Sequence, residues 1–281
     1  MGYTASLRHE AFSCFRGRWF SVSLIVAVGL AIAAGIEGVV RAFHWYNLDP
    51  FYLSGHSAYS AWMVANCPIA TLPTVFFYLL PFIVLIPFAW SFRGERMSGY
   101  DIQVISRISR RDRILAKGTI VFVSAALITA LAHVVNFVVA SLFLPLRTPV
   151  FEEVFTLGIF TECLFSGLFY SRPLLYVLAF TAMNSILMGA WATLVLGVSA
   201  ISSNRVSLLV FPYLALVVWR YFNSWVWSVT MLHLPSFNII DDMQGTYWTV
   251  RSDPLVILIE FALMLIAAYL LCRHLARADV I

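Results

Sequence analysis

The chain has 281 residues, of which 61% are hydrophobic and 11% are charged, and its formal net charge at pH 7 is +4. Soluble domains carry about 25% charged residues, so this composition excludes an ordinary soluble enzyme or binding domain. The basic residues flank apolar runs instead of forming one patch, which argues against nucleic-acid binding. We therefore expect an all-α, polytopic membrane protein.

Residues 1–18 precede the first apolar run. Apolar residues recur there at helical spacing, and the arginines fall on other positions. These apolar residues are Leu7, Ala11, Cys14 and Phe15. The pattern predicts an amphipathic helix on the inner membrane surface, with a short cytosolic helix or a disordered tail as the alternative. The apolar run that follows is too long for a signal peptide, so we expect no cleaved leader.

Six apolar segments have lengths near the roughly 20 residues that cross a bilayer. They are residues 19–40, 73–92, 118–144, 173–201, 206–221 and 254–272. Pro81 and Pro87 in the second segment and Pro212 in the fifth should kink those helices. The sequence has no internal repeat and no linker, so we expect a single transmembrane domain over residues 1–281.

Charge asymmetry predicts the orientation of these spans. With the N-terminus inside, 13 of the 18 basic residues lie on the cytoplasmic side. Cytoplasmic segments of membrane proteins carry an excess of Lys and Arg, so both termini are expected to be cytoplasmic. Basic residues are almost all arginine, as in proteins from GC-rich bacterial genomes, which favours the bacterial cytoplasmic membrane.

Three outer segments are long enough to fold. Residues 41–72 are rich in Trp, Tyr, Ser and Pro, and we expect a folded cap over the end of the bundle. Residues 149–170 begin with helix-starting residues and fit an interfacial or re-entrant helix, or else a seventh span. Residues 223–253 carry aromatic residues suited to the membrane–water boundary. Cys67 and Cys163 fall on this side, and the sequence leaves open whether they pair.

The cytoplasmic loop between the second and third spans, residues 93–117, is termed the basic loop. It holds 7 of the 18 basic residues of the chain. Within it Ile102, Ile105 and Ile108 recur at every third position, which predicts a short helix with one apolar stripe. Such a helix is suited to a groove in another protein.

A second helix is predicted to begin within the basic loop. Ser109 and Asp112 have the spacing of a capping box, and an acidic residue in the first turn is favoured by the helix dipole. This helix should continue through Lys117 into the third span. We expect the long Lys117 side chain to reach back to the lipid headgroups.

These residues resemble the first cytoplasmic loop of ABC transporter permeases of the type-2 exporter class. The pattern of that family is roughly E-x-x-x-G-T, an apolar stretch, T-P-x-S-R, and a Lys six to eight residues later. The matching residues here are Glu95, Gly99, Ser109, Arg110 and Lys117. Tyr100 stands where Thr is usual and Arg107 where Pro is usual. In outline the resemblance extends to the predicted arrangement of spans over the whole chain.

The resemblance implies that the basic loop is a coupling helix that docks on a separate ABC ATP-binding subunit. The residues expected at this contact are Glu95, Gly99, Tyr100, Ile102, Ile105, Ile108, Ser109 and Arg110. ATP and Mg would bind to that partner, and no cofactor would bind to this chain. A second six-span permease subunit, identical or similar, would complete the transporter. Without such a partner, the basic loop would be an ordinary positively charged anchor.

No catalytic motif accompanies these features, and the chain lacks a phosphate-binding G-x-x-x-x-G-K-[ST] sequence. We expect no enzyme activity, catalytic residue or metal site in this chain. Glu260, His133 and Asn136 lie within predicted spans, where polar groups are costly and often functional, so they are candidate pathway residues. Hydrogen bonding between helices is the alternative for them. Glu37 is expected to pair with Arg41, one turn away.

The sequence therefore predicts the membrane-spanning subunit of an ATP-driven exporter, surrounded by membrane lipids and with no nucleic-acid partner. Spans with few charges favour a lipid, a peptide or another amphipathic cargo. The alternative is a polytopic assembly or sensor protein that does not transport.

Overall fold

The computed structural model describes residues 3–48, 56–67, 70–87, 110–150, 157–199, 205–230, 237–245 and 252–277. Over these residues the chain forms α-helices and no strand, in agreement with the predicted all-α class. The helices are α1 (Tyr3–Phe15), α2 (Arg18–Leu48), α3 (Ala58–Ala61), α4 (Met63–Asn66), α5 (Thr71–Ile83), α6 (Arg110–Phe143), α7 (Ser166–Ser171), α8 (Pro173–Val198), α9 (Arg205–Thr230), α10 (Ile239–Asp242) and α11 (Pro254–Arg277).

Four helices of the described chain are long and apolar enough to cross a membrane. They are Arg18–His44, Arg111–Phe143, Pro173–Val198 and Pro254–Arg273, within α2, α6, α8 and α11. Their outer faces carry exposed apolar side chains such as Ile25 (70% exposed) and Leu258 (67% exposed). Soluble proteins rarely expose apolar surface on this scale, so these faces are suited to lipid.

The other two predicted spans are helical but differ from the prediction in length. The second span corresponds to α5, whose 13 residues cover about 20 Å, less than the roughly 30 Å of bilayer hydrocarbon. Pro81 lies near the end of α5, and residues 88–92 lie outside the described chain. The fifth span lies in α9, whose 26 residues extend well past residue 221.

The longest helix, α6, organises the bundle. It runs without interruption for 34 residues from Arg110, as predicted for a helix that leaves the basic loop. It contacts α8, α2 and α1. Ala125 and Ala132 are fully buried along it, and small residues allow neighbouring helices to approach closely.

The N-terminal helix α1 packs against the first turns of α6. Lys117 Nζ lies 3.8 Å from Glu10 Oε2, and both side chains are buried. Tyr3 Oη and Thr119 Oγ1 are 3.1 Å apart. The prediction that Lys117 reaches toward lipid headgroups is therefore wrong, because α1 places an acidic partner against it.

Part of the predicted outer cap enters the bundle. Residues 57–67, which include α3 and α4, are all buried. Ala58 N donates to Pro145 O (3.0 Å), just beyond the end of α6. The Trp62 indole donates to His133 O (3.2 Å), about three turns deeper along the same helix. This segment is a re-entrant element between the spans, whereas we expected a cover over their ends.

A second segment, residues 237–245, enters from the same end and meets the first. Gly245 N donates to Val64 O at 3.0 Å. A Cβ at Gly245 would overlap the Tyr176 hydroxyl, so this close approach of two backbones requires glycine. The two re-entrant segments therefore contact each other inside the bundle.

The segment before α8 is not a seventh span. Phe165 has φ 57°, in the left-handed region, and α7 after it has only six residues. The interruption excludes one continuous helix over residues 149–170. Phe169 is buried and stacks edge-on against Tyr176, with ring centroids 5.0 Å apart.

All four cysteines are free, so the disulfide that the sequence left open between Cys67 and Cys163 is absent. The Cys67 Sγ lies 3.6 Å from Thr74 Oγ1. The Cys163 thiol donates to Gly158 O at 3.6 Å. Each buried thiol contacts its own local segment instead of the other cysteine.

Candidate functional site

The predicted coupling residues lie at the edge of the described chain. Glu95, Gly99, Tyr100, Ile102, Ile105, Ile108 and Ser109 fall outside it, and Arg110 is described only as the first residue of α6. Their contact with an ATP-binding subunit stays a prediction. The structure adds where the loop leads, which is directly into the central helix.

Asn136 lies in the middle of the bundle and is fully buried. Its Oδ1 accepts from Met63 N at 2.9 Å, and its Nδ2 donates to Ala31 O at 2.8 Å. One side chain of α6 therefore holds both the first re-entrant segment and α2. We term the set Trp62, His133, Asn136 and Asn184 the central polar network.

His133 is connected to the second re-entrant segment, residues 237–245, through Asn184. Its Nδ1 lies 2.9 Å from Thr129 O, a carbonyl that only accepts, so Nδ1 carries the hydrogen and Nε2 is an acceptor. Asn184 Nδ2 donates to His133 Nε2 and to Met243 O, both at 3.0 Å. His133 and Asn136 thus make the interhelix hydrogen bonds that the sequence offered as the alternative to a pathway role.

Glu37 has a role that the sequence did not indicate. Its Oε1 accepts from Thr71 N at 2.9 Å and its Oε2 from Leu72 N at 2.7 Å. The carboxylate of α2 therefore caps the first turn of α5, where unsatisfied N–H groups and the helix dipole favour an anion. Thr71 is 34 residues away from Glu37, so local spacing pointed only to Arg41.

Glu260 lies on α11 and is 5% exposed. Its carboxyl interacts electrostatically with that of Asp242, which is fully buried in α10. No N–H or O–H group of the described residues reaches Glu260 Oε2. We term Asp241, Asp242 and Glu260, together with Arg220 of α9, the carboxyl cluster.

Arg220 holds one side of the carboxyl cluster. Its Nε donates to Asp241 Oδ1 at 2.7 Å. Its Nη1 donates to the Tyr78 hydroxyl, and the guanidinium carbon lies 4.7 Å from the centre of the Tyr78 ring. Burial raises the pKa of Asp241 above its ordinary value, and the Arg220 charge opposes that rise. The cluster thus contains three carboxyl groups and one guanidinium.

A cavity of about 160 Å³ lies against Glu260, between α9, α11 and the segment before α10. Its other walls include Leu216, Trp219, Phe237, Leu263 and Met264. Trp219, Phe237 and Leu263 are between 38% and 50% exposed and form the mouth. The Trp219 indole donates to Phe237 O at 2.7 Å, which fixes the ring. The cavity combines apolar walls with a single carboxyl group, the chemistry that an apolar molecule with a hydrogen-bond-donating head requires.

A larger groove of about 430 Å³ lies between α6, α8 and α11, near the start of α6. Its walls are almost entirely apolar and include Phe122, Phe261 and Leu265. Such a groove has the shape and polarity for an acyl chain. Within the described residues, no group of three or more His, Cys, Asp or Glu is arranged to hold a metal ion.

A comparison with models of known protein families gives no match for this sequence, and neither does a comparison with curated proteins. The residue pattern of the basic loop and the geometry of the bundle are therefore what supports a function for this chain. The apolar helices are compatible with a membrane protein.

Proposed function

We propose that the chain is the membrane-spanning permease subunit of an ATP-driven exporter of the type-2 ABC class. It lies in the bacterial cytoplasmic membrane with both termini cytoplasmic. A separate ATP-binding subunit binds ATP and Mg and docks on the basic loop. A second six-span permease subunit, identical or similar, forms the other half of the pathway. The loop pattern described above is the reason for naming this class.

The main structural support for the proposal is that α6 is one continuous helix. Its 34 residues span about 50 Å and begin at the last residue of the predicted docking set, Arg110. Because α6 is continuous, we expect a displacement of its first turn to be transmitted along it, and α6 contacts α1, α2 and α8. A displacement of the basic loop by its partner would therefore also displace the helices that contact α6.

The N-terminal helix strengthens this mechanical path. The buried pair Lys117–Glu10 joins the second turn of α6 to α1. A buried ion pair resists separation, because each charge left alone in the interior is costly. Displacement of the basic loop would thus move α1 and α6 together.

The cargo we propose is a lipid, a peptide or another amphipathic molecule. The four apolar helices and the apolar groove between α6, α8 and α11 support a cargo with hydrophobic parts. The scarcity of charged side chains within the spans is poorly suited to a small hydrated ion.

The test is to purify the chain from its native membrane and ask whether an ATP-binding subunit co-purifies. The wild type is compared with a variant in which the apolar stripe, Ile102, Ile105 and Ile108, is replaced. In the variant Ile102→Asp/Ile105→Asp/Ile108→Asp, buried apolar contacts with the partner groove are replaced by charges. We expect a subunit with an ABC ATP-binding sequence, and its ATPase activity, to co-purify with the wild type and to be lost from this variant. Proteolysis resistance in detergent checks that the variant is folded.

The matched control is Gln103→Asp/Ser106→Asp, which adds acidic charge to other faces of the same predicted helix. It should retain the ATPase. Wild-type protein that brings down no ABC ATPase, or a triple variant that retains it, would contradict the proposal. An ATPase that binds normally while reconstituted complexes move no amphipathic cargo would instead favour the non-transporting alternative.

A further inference from the structure

The floor of the cavity between α9 and α11 is a carboxyl group that lacks a complete set of partners. Glu260 is 5% exposed and lines the cavity, and no donor of the described residues reaches its Oε2. Buried polar atoms are usually hydrogen-bonded, because an unmade bond in an apolar interior is costly. An unpartnered carboxyl oxygen on a residue that lines an apolar cavity therefore marks a place for a donor from outside the chain.

The electrostatic surroundings favour a cation over a neutral donor. The Asp242 carboxyl is fully buried and interacts electrostatically with that of Glu260, and two neighbouring carboxyl groups cannot both ionise without mutual repulsion. The Arg220 guanidinium donates its hydrogen bonds to Asp241 and Tyr78, and the structure shows none from it to Glu260. A positive group beside Glu260 would offset the repulsion between the two carboxylates.

The size and walls of the cavity restrict the molecule that carries this charge. A volume of about 160 Å³ is close to that of an engineered apolar cavity of about 150 Å³ that holds benzene. The exposed mouth residues Trp219, Phe237 and Leu263 provide apolar surface for the rest of the ligand. An aromatic ring near a cation adds further attraction.

We propose that this cavity binds the ammonium group of a hydrophobic amine. The ammonium donates a hydrogen bond to Glu260 Oε2, and the apolar part lies against Trp219 and Leu263. As a claim about the exported cargo, this rests on the proposed function; as a binding site, it stands without any ATPase.

The test is binding of benzylammonium to the purified chain in detergent at pH 7, measured by calorimetry, beside the neutral isostere benzyl alcohol. We expect benzylammonium to bind at least about tenfold more tightly than benzyl alcohol, since charge-assisted hydrogen bonds are about twice as strong as neutral ones. Glu260→Gln should remove this preference and leave benzyl alcohol binding unchanged.

Two further variants keep the result interpretable. Glu162→Gln makes the same chemical change on an exposed residue and should behave as the wild type. Leu263→Trp narrows the mouth at a half-exposed position, so it should weaken both probes without altering Glu260. Equal binding of the two probes to the wild type, or an unchanged preference in Glu260→Gln, would overturn the proposed site.

Transport separates this inference from the proposed function. In vesicles that contain the chain with its ATP-binding subunit, ATP should drive movement of a long-chain alkylammonium, and Glu260→Gln should lower its rate at least about tenfold. Preserved binding of benzylammonium with no ATP-driven movement of any cargo would leave the site in place and contradict the exporter.

Discussion

The central polar network and the carboxyl cluster are both buried, and both involve the second re-entrant segment, but they are built differently. Met243 O accepts from Asn184 in the network, while the preceding residue, Asp242, lies against Glu260. The network consists of neutral side chains that hydrogen-bond to backbone groups and to one another, mostly across neighbouring elements. The cluster brings three acidic groups together with one guanidinium beside a cavity.

The difference distinguishes a structural use of buried polarity from the ligand binding that we propose. A hydrogen-bonded neutral network specifies how helices and re-entrant segments fit, and each broken bond has a cost. By contrast, buried acidic groups beside an apolar cavity pay a desolvation cost, so they are not expected to stabilise the fold. We therefore expect variants of the network to lose stability and variants of the cluster to lose binding.

The largest effect on stability is expected at the Lys117–Glu10 pair between α1 and α6. It provides a reference for the smaller effects expected in the central polar network and the carboxyl cluster. Glu10→Leu leaves the fully buried Lys117 without this partner and should lower the free energy of unfolding by about 3 kcal/mol. Denaturing-detergent titration of the purified protein measures this change. The double variant Glu10→Leu/Lys117→Met should recover most of the loss, and a double variant as unstable as the single one would show that packing alone is responsible.

The next effect tests the central polar network directly. Asn136→Leu removes the acceptor of Met63 N and the donor to Ala31 O while nearly conserving volume. We expect a loss of about 2–3 kcal/mol in the same titration, because a buried N–H is left unsatisfied. Ser141→Ala removes a hydroxyl that bonds only within α6, and should change stability by less than about 0.5 kcal/mol. Wild-type stability in Asn136→Leu would contradict the structural role of the central polar network.

A smaller effect is expected where a charge serves a purely structural role. Glu37→Ala removes the cap of α5 and should cost about 1–2 kcal/mol. Glu37→Gln keeps one oxygen acceptor and should lose less. Protection of the first turn of α5 in hydrogen exchange reports the same change locally, and unchanged protection in Glu37→Ala would argue against the cap.

The smallest effect on stability is expected at Glu260, the residue of the carboxyl cluster that differs most in expected role from the central polar network. Glu260→Gln replaces a carboxyl by an isosteric amide that can donate to Asp242, so unfolding should change by less than about 1 kcal/mol and in the stabilising direction. The titration used for Asn136→Leu provides the measurement. A loss above about 2 kcal/mol would place Glu260 with the structural network instead.

Much of the helical fold could be predicted because hydrophobicity and the length needed to cross a bilayer act on local sequence. The spans at residues 19–40, 118–144, 173–201 and 254–272 correspond to long apolar helices, and the helix that leaves the basic loop was predicted as well. Each of these follows from one continuous stretch of residues and needs no knowledge of its neighbours.

The candidate site was only partly accessible in this way. Glu260 was predicted as a candidate pathway residue from its place within an apolar run, but its interaction with Asp242 joins two different segments. The same holds for Glu37, whose partners lie 34 and 35 residues away, and for Lys117, whose partner Glu10 lies in another helix. Local spacing contains no signal for such pairs.

The sequence by itself determined an all-helical chain, long apolar helices compatible with a membrane protein, and the basic segment that leads into α6. These depend on hydrophobicity, charge and helix period, which are properties of consecutive residues. Only the tertiary structure decided that residues 57–67 and 237–245 enter the bundle, that Asn136 and Asn184 hydrogen-bond to them, and that Glu260 lines a cavity. Those features depend on where buried hydrogen-bonding groups meet across helices, and that is set by packing of the whole chain.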